Sequence, residues 1–285
     1  MSGRITMTMG WSVAAAAVCV CSLGCAQVIG LDKDYHKDTD AAAPGAGCLL
    51  TAPDITCSPM SGTTEMSAVP GRYCIDNQEV SWQQYLEWVA TNPDTKDLPQ
   101  ACKEWKTDFK PGGDPPMGLD AGGGNYPVVF VDWCDAYMYC LKHNKRLCGK
   151  ILGTAVPKGQ VSTCGVDQWY TACSAGGKTA WSYGSEFKSK TCNAVNTGNP
   201  HVTEVSLPEA CVSDVPAYQN LVNMSGNVEE WEDACETESQ GAKDICYTRG
   251  GSFNDQSEEH SRCDAAHTME RGARHDFVGF RCCGQ

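Results

Sequence analysis

The sequence predicts a disulfide-rich domain of short helices and strands with little regular secondary structure. The chain carries 19 cysteines in 285 residues, a density typical of exported proteins whose thiols are paired as disulfides. Short alternating and helical apolar patterns follow one another between residues 72 and 174. Beyond Gly176 the chain is rich in turn-forming residues and has few helical runs.

The first strand and helix are predicted close together. Residues 72–76 alternate as a strand does. Ser81 and Gln84 then have the spacing of a capping box, which predicts that a helix begins between them. Residues 92–125 are rich in proline and glycine and predict a long loop. Such a loop is either functional or an insertion, and both alternatives stay open.

Two further helices are predicted in the central region. Residues 126–131 form an apolar run that predicts a short strand. Asp132 follows as the N-cap of a helix whose buried face would include Leu141. A third short helix is expected between Asp167 and Ser174.

Charge excludes one class of partner. The formal net charge is -13, and no basic stripe is present to neutralise phosphates, so we expect no nucleic-acid partner. The hydrophobic content of 41% is that of a globular protein.

The N-terminus indicates export. Arg4 precedes an apolar run over residues 11–23 that is too short to span a bilayer comfortably. The run ends in Ser-Leu-Gly-Cys, which resembles a bacterial lipobox and predicts a lipoprotein signal peptide over 1–25 with acylated Cys25. A cleaved signal peptide without lipid is the alternative. Ala26 after Cys25 suggests, by analogy, the outer membrane. We expect a flexible tether over 26–66 and a folded domain over 67–285.

Six sequence blocks carry a family resemblance. Three lie near the C-terminus, at residues 223–231, 249–253 and 279–282, and three lie earlier, at residues 75–81, 127–147 and 168–177. In this order they resemble the formylglycine-generating enzyme (sulfatase-modifying factor) family across roughly residues 70–285. The resemblance implies a C-type-lectin-like α+β fold with unusually little regular structure.

The copper cysteines of that family are absent here. The family's oxidase site is a pair of cysteines shortly after the Gly-Gly-Ser block, where residues 254–261 of this chain contain no thiol. Copper(I) selects soft thiolates, so we expect neither copper nor formylglycine chemistry. Glu229 also replaces a tryptophan of the family's cleft. The remaining cleft candidates are Ser252, Asp255 and His260.

Sixteen cysteines remain after Cys19, Cys21 and Cys25 are set aside, an even number as a disulfide framework requires. The resemblance implies two bridges, Cys140–Cys282 and Cys173–Cys263. From proximity in the sequence we predict Cys48–Cys57, Cys74–Cys102, Cys148–Cys164, Cys192–Cys211 and Cys235–Cys246, which leaves Cys134 and Cys283 for each other.

Two kinds of metal site are considered. The resemblance implies structural calcium bound by the Asn223 side chain, the Gly226 and Val228 carbonyls and the Glu230 carboxylate, donors that suit a hard cation. A hydrogen-bonded turn without an ion is the alternative. A second calcium site would use Asn193 and the Ala194 carbonyl, with Asp214 as the candidate acid. His260, His267 and His275 have the composition of a non-haem iron site, although their spacing matches no metal signature.

Three functions are compatible with these features. The first is a cell-envelope lipoprotein, anchored to the bilayer, whose domain is a structural module or binds a small molecule or peptide. The second is a non-copper oxidative enzyme, because the resembling superfamily includes sulfoxide synthases and pyoverdine-maturation proteins that do not use the copper pair. The third is formylglycine-generating activity through an unforeseen site.

Overall fold

The computed structural model describes residues 48, 55–58, 63–70, 72–116, 118, 122–195, 197–208 and 211–284. The predicted signal peptide, with Cys25, and most of the predicted tether lie outside these residues. Within them, no helix has both the length and the apolar character needed to cross a bilayer.

The regular elements are short. The helices are α1 (Trp82–Ala90), α2 (Gln100–Lys103), α3 (Trp133–Lys142) and α4 (Gln168–Cys173). The strands are β1 (Met66–Val69), β2 (Tyr73–Asp76), β3 (Arg146–Leu147), β4 (Glu229–Cys235), β5 (Ile245–Arg249), β6 (Ala266–Glu270), β7 (Val278–Gly279) and β8 (Cys282–Cys283). Single 3-10 turns lie at Gly123–Asn125, Lys158–Gln160, Pro216–Tyr218, Gly241–Lys243 and Glu258–Ser261.

Two four-stranded sheets organise the domain. The first has the order β1-β2-β8-β3, and its neighbouring strands are all antiparallel. The second has the order β6-β5-β4-β7, in which β4 and β7 are parallel and the other pairs antiparallel. Strands β7 and β8 come from the same C-terminal segment, so this segment joins both sheets.

The predicted helix caps are confirmed. The Ser81 side chain accepts a hydrogen bond from the Gln84 amide, and the Gln84 side chain accepts one from the Ser81 amide. Asp132 caps α3 in the same reciprocal way with Asp135. Asp167 caps α4 through the Tyr170 amide. These caps satisfy amides that have no acceptor within their own helix.

Two local predictions are wrong. Residues 126–131 form no strand, and only Pro127 makes an isolated bridge, to Ser81. Phe130 adopts a left-handed φ of 58°, which turns the chain so that its amide bonds to the His275 carbonyl instead of to a strand. Leu141 was expected in the buried face of α3 and is 41% exposed.

The second sheet is not predicted from the sequence because its central strand is acidic. In β4 the side chains of Glu229, Glu230 and Glu232 are all buried. Glu229 and Glu230 accept hydrogen bonds from other elements, which offsets the cost of burying a carboxylate, and Glu232 lies 3.5 Å from Arg249 of β5. The acidic sequence of β4 therefore gives no sign that both faces of this strand are buried.

All sixteen described cysteines form disulfides. Four predicted pairs are present, namely Cys140–Cys282, Cys173–Cys263, Cys192–Cys211 and Cys235–Cys246. The pairs Cys48–Cys57, Cys74–Cys102, Cys148–Cys164 and Cys134–Cys283 were wrong. The structure instead has Cys48–Cys164, Cys57–Cys74, Cys102–Cys134 and Cys148–Cys283. Strand β8 lies beside β3, which brings Cys283 to Cys148.

A buried ion pair connects the two sheets. Arg281, which follows β7, donates to both carboxylate oxygens of Glu230 in β4, at distances of 2.7 to 2.9 Å. The same guanidinium donates to the Asp76 and Val222 carbonyls. The Trp169 indole in α4 donates to Glu230 at 2.8 Å. The side chains of Arg281 and Glu230 are 0% and 1% exposed.

We predict that Arg281→Met lowers the free energy of unfolding by about 3–5 kcal/mol, because it leaves the Glu230 carboxylate buried without its cation. Denaturant unfolding with the disulfides intact measures the change. Lys96→Met is the control, since the Lys96–Asp94 pair is solvent-exposed and such pairs contribute less than about 1 kcal/mol. Equal losses in the two variants would contradict the prediction.

Candidate functional site

A cleft of about 360 Å³ lies between the second sheet and the segment that follows β5. We call it the imidazole cleft. It is lined by Glu229 of β4, His267 of β6, Phe277, and the side chains Ser252, Asn254, Asp255, Gln256 and His260. The three cleft candidates from the sequence, Ser252, Asp255 and His260, therefore lie together in one cavity.

One face of the second sheet supplies the floor of the cleft. Thr248 of β5 lies opposite His267 of β6 in the strand register. The Thr248 hydroxyl donates to Glu229 Oε2, and His267 Nδ1 lies 2.9 Å from Glu229 Oε1. Both carboxylate oxygens of Glu229 are thus occupied, which explains how this carboxylate is buried without a lysine or arginine partner.

A second imidazole faces the first. The rings of His260 and His267 have centroids 4.9 Å apart in an edge-to-face arrangement of 74°. His260 Nδ1 lies 3.5 Å from Asp255 Oδ1. The cleft therefore contains two carboxylate–imidazole pairs, of which the His267 pair is the closer. The His260 side chain is 50% exposed and forms the solvent-facing rim.

Backbone conformation places Asp255 beneath the cleft. Gly251 has a left-handed φ of 69°, and a Cβ there would lie 2.3 Å from Asp255 Oδ2. Only glycine allows this approach, in which Asp255 Oδ2 accepts a hydrogen bond from the Ser252 amide at 2.8 Å. The Ser252 hydroxyl accepts from the Asn254 amide at 3.3 Å.

The cleft perturbs its titratable groups. Hydrogen bonding to Glu229 raises the pKa of His267 above the ordinary imidazole value, although burial opposes the shift. Burial raises the pKa of Asp255. His275, which the sequence grouped with these histidines, stacks on Phe277 with centroids 4.9 Å apart. The sequence identified neither Phe277 nor Thr248, since each becomes relevant only through tertiary packing.

The described residues that line this cleft include no cysteine, so none of them supplies a thiolate. Each of the sixteen cysteines that the structure describes is in a disulfide. Among those residues there is also no group of three or more His, Cys, Asp or Glu side chains arranged to hold a metal ion. The described donors of the cleft are imidazole nitrogens and carboxylate, hydroxyl and amide oxygens.

The predicted calcium segment gives a mixed result. Asn223 Oδ1 is buried without a hydrogen-bond partner, so this oxygen is free to bind a hard cation. Glu230 is different, because Arg281 already neutralises its carboxylate. Calcium bound through Glu230 would have to share that carboxylate with a guanidinium, which does not fit the arrangement seen.

An acidic side chain that was not predicted from the sequence, Glu79, lies beside Asn223. It accepts hydrogen bonds from Asn227 Nδ2 at 2.8 Å and from Asn223 Nδ2 at 3.4 Å. Burial raises the pKa of Glu79 to about 8. Asn223 and Glu79 have donor atoms that would suit calcium, and calcium binding at this segment stays a prediction.

The second predicted calcium set is occupied by hydrogen bonds. Asn193 Oδ1 accepts from Asn199, and Asn193 Nδ2 donates to His201 and Asn227. The Ala194 carbonyl accepts from the Thr197 amide. Asp214, the candidate acid, is exposed. An ion here would have to displace these bonds, so this site also stays a prediction.

Comparisons with known proteins agree with the architecture. Residues 60–285 match the family of sulfatase-modifying factor enzyme 1-like domains. PvdO from Pseudomonas aeruginosa is similar in structure, with a TM-score of 0.50, 17% identity and coverage of 75% of this chain and 80% of PvdO. At this identity the likeness shows the fold alone.

Two further solved structures are similar at lower TM-scores. CarF has a TM-score of 0.48 and 19% identity, and the match covers 74% of this chain and 85% of CarF. Treponema denticola variable protein 1 has a TM-score of 0.47 and 16% identity, with coverage of 81% and 93%. No curated protein matches the sequence.

We predict that His267 titrates above the ordinary imidazole pKa of about 6.5 and that Glu229→Gln lowers its midpoint. NMR titration of the ring protons measures both. The folded pKa is raised, so the pair stabilises the protein fully below the unfolded imidazole pKa, and this contribution is lost as pH rises through the folded pKa. His143 is the internal control, because burial lowers its pKa. A His267 midpoint at or below that of His143 would refute the prediction.

Proposed function

Because the chain belongs to the family of sulfatase-modifying factor enzyme 1-like domains, we propose that it uses that scaffold as a ligand-binding module of the cell envelope. The observation that carries the proposal is the imidazole cleft, a cavity of about 360 Å³ with polar donors on its floor and an aromatic ring on its wall. Small-molecule sites have this size range, from about 300 to 1,000 Å³, and the polar lining of this one suits a polar ligand.

The residues at the family's copper position support a change of function. Formylglycine formation, as the family resemblance implies it, needs two thiolates beside the Gly-Gly-Ser block. Here that segment supplies Asp255 and His260 in place of thiols, and Glu229 stands where the family has a tryptophan. Copper(I) has low affinity for carboxylates. The chemistry of the cleft therefore favours polar ligand binding over thiolate-bound copper.

A lipid anchor is the second part of the proposal. The eight disulfides among the described residues suit an oxidising, exported environment, and the sequence around Cys25 resembles a lipobox. Acylation of Cys25 would hold the domain at a membrane surface, by analogy the outer membrane, through a spacer of small residues. The partners that we propose are the bilayer and a small molecule or peptide in the cleft.

A second candidate function has one observation in its favour. Two imidazoles and two carboxylates share the cleft, which is the donor chemistry of non-haem iron oxidases. Iron that copurifies in a 1:1 ratio and supports oxygen consumption would favour this oxidative enzyme over the binding module.

We predict that a library of amino acids and short peptides yields ligands for the wild-type protein that Ser252→Phe no longer binds, because the phenyl ring fills the cleft. Ligand-detected NMR measures binding. Ser239→Phe is the matched control, since Ser239 is exposed and does not line the cleft. Hits that bind Ser252→Phe as well as wild type would place the ligand elsewhere.

The copper alternative is tested on the same preparation. The purified protein is loaded with copper(I) and incubated with oxygen and a cysteine peptide derived from a sulfatase. We expect no aldehyde product by mass spectrometry. Formation of the aldehyde would overturn the claim that formylglycine chemistry has been lost.

For the anchor, we predict that Cys25→Ser moves the protein from the detergent phase to the aqueous phase of a Triton X-114 partition, because no acyl chain can be attached. Labelling with a fatty-acid analogue measures acylation directly. Cys19→Ser is the control and should keep both the label and the partition. Label that persists in Cys25→Ser would contradict the lipobox assignment.

A further inference from the structure

The two imidazoles of the cleft share a feature that hydrogen bonding alone does not require. In both His260 and His267 it is the Nδ1 atom that faces a carboxylate, at 3.5 and 2.9 Å. The Nε2 atom of each ring is therefore left for another partner. A ring that donates its Nδ1 proton to a carboxylate has its lone pair on Nε2.

Metal-binding histidines have this arrangement. A histidine that binds a metal usually donates its other ring N–H to a carboxylate or carbonyl, which fixes the tautomer and makes the binding nitrogen more basic. Glu229 meets this description for His267, and it is itself fixed by Thr248. Asp255, which is fixed by the Ser252 amide, lies on the Nδ1 side of His260 at the longer distance of 3.5 Å.

We propose that His260 and His267 bind one divalent transition-metal ion through their Nε2 atoms, with Glu229 and Asp255 orienting the two rings. The metal class is that of Zn²⁺, Co²⁺ and Ni²⁺, for which imidazole is a suitable ligand. The inference rests on the proposed function, because it assigns to the same cleft the ion through which a ligand would be held.

The distance between the ring centroids would allow one ion to be bound by the Nε2 atoms of both rings. A metal at the usual Zn–N distance of about 2.0–2.1 Å lies about 3.2 Å from the centroid of each ring. Centroids 4.9 Å apart then subtend an angle of about 100° at the metal. This is close to the tetrahedral angle that zinc prefers.

The site would be open. The two carboxylates face the Nδ1 side of the rings, so the protein would supply two ligands, the Nε2 atoms of His260 and His267. Water fills the remaining positions until a ligand replaces it. Structural zinc sites use four protein ligands, whereas sites that bind or transform a ligand keep a position free. The exposed His260 leaves such a position accessible to solvent.

The test is a calorimetric titration of the metal-free protein with ZnCl₂, without any organic ligand. We expect one ion per chain. His260→Asn and His267→Asn should each weaken binding at least about tenfold, and Glu229→Gln should weaken it by about 10–100-fold, the usual effect of removing such an orienting carboxylate. His201→Asn is the control, because His201 is exposed and lies outside the cleft.

A second measurement uses only the wild-type protein, so it does not depend on whether the variants fold. In the wild-type protein, Zn²⁺ should shift the ring signals of His260 and His267 and leave those of His143 and His201 unchanged, and Co²⁺ should give the visible absorption of a four-coordinate site. No binding, or binding that both asparagine variants retain, would overturn the proposal. The titration contains no organic ligand, so its failure would leave the ligand-binding function of the cleft intact.

Discussion

The buried pair of Arg281 and Glu230 is the interaction on which the rest of the structure depends. Taking two charges out of water costs several kcal/mol for each ion, and the cost is recovered only when geometry and additional hydrogen bonds are complete. Here they are: the guanidinium contacts the carboxylate with two nitrogens, and its remaining donors reach two backbone carbonyls. The pair fixes β4 against the C-terminal segment, and the next two residues, Cys282 and Cys283, bridge that segment to α3 and to the end of β3.

This constraint also determines the cleft. Successive side chains of a strand point to opposite faces of the sheet, so Glu229 must face away from the side on which Glu230 meets Arg281. The register of β4, β5 and β6 brings Glu229, Thr248 and His267 onto that other face. A buried ion pair on one side of β4 thus orients a carboxylate–imidazole pair on the other. A shift of one residue would exchange the two faces and lose both.

Local signals in the sequence predicted the helix caps, and the family resemblance predicted the fold and two long-range disulfides, whereas contacts outside those signals could not be predicted. The caps of α1, α3 and α4 involve residues three apart, and so they can be identified without knowing the fold. The second sheet could not be, because the partners that allow β4 to bury its acids are up to 61 residues away in sequence. Disulfides show the same limit: sequence proximity paired Cys48 with Cys57, whereas the fold brings Cys48 to Cys164 across 116 residues. His267 was a candidate metal ligand because it is a histidine, but its pairing with Glu229 depends on strand register and could not be predicted.

The side chains that line the cleft are largely separate from those that stabilise the core, so the cleft can acquire new chemistry while the fold is retained. The segment after β5 is held by its backbone: Gly251 allows the close approach of Asp255, and Cys263 is tied to α4 through Cys173. Its side chains at 254–260 contribute little to the core, since most are exposed or partly exposed. Substituting them therefore costs little stability, whereas substituting Arg281 or Glu230 removes a buried charge partner. Thiols could be exchanged for imidazole and carboxylate in this segment without changing the fold. Glu229 belongs to both regions, because it is buried in β4 and also lines the cleft.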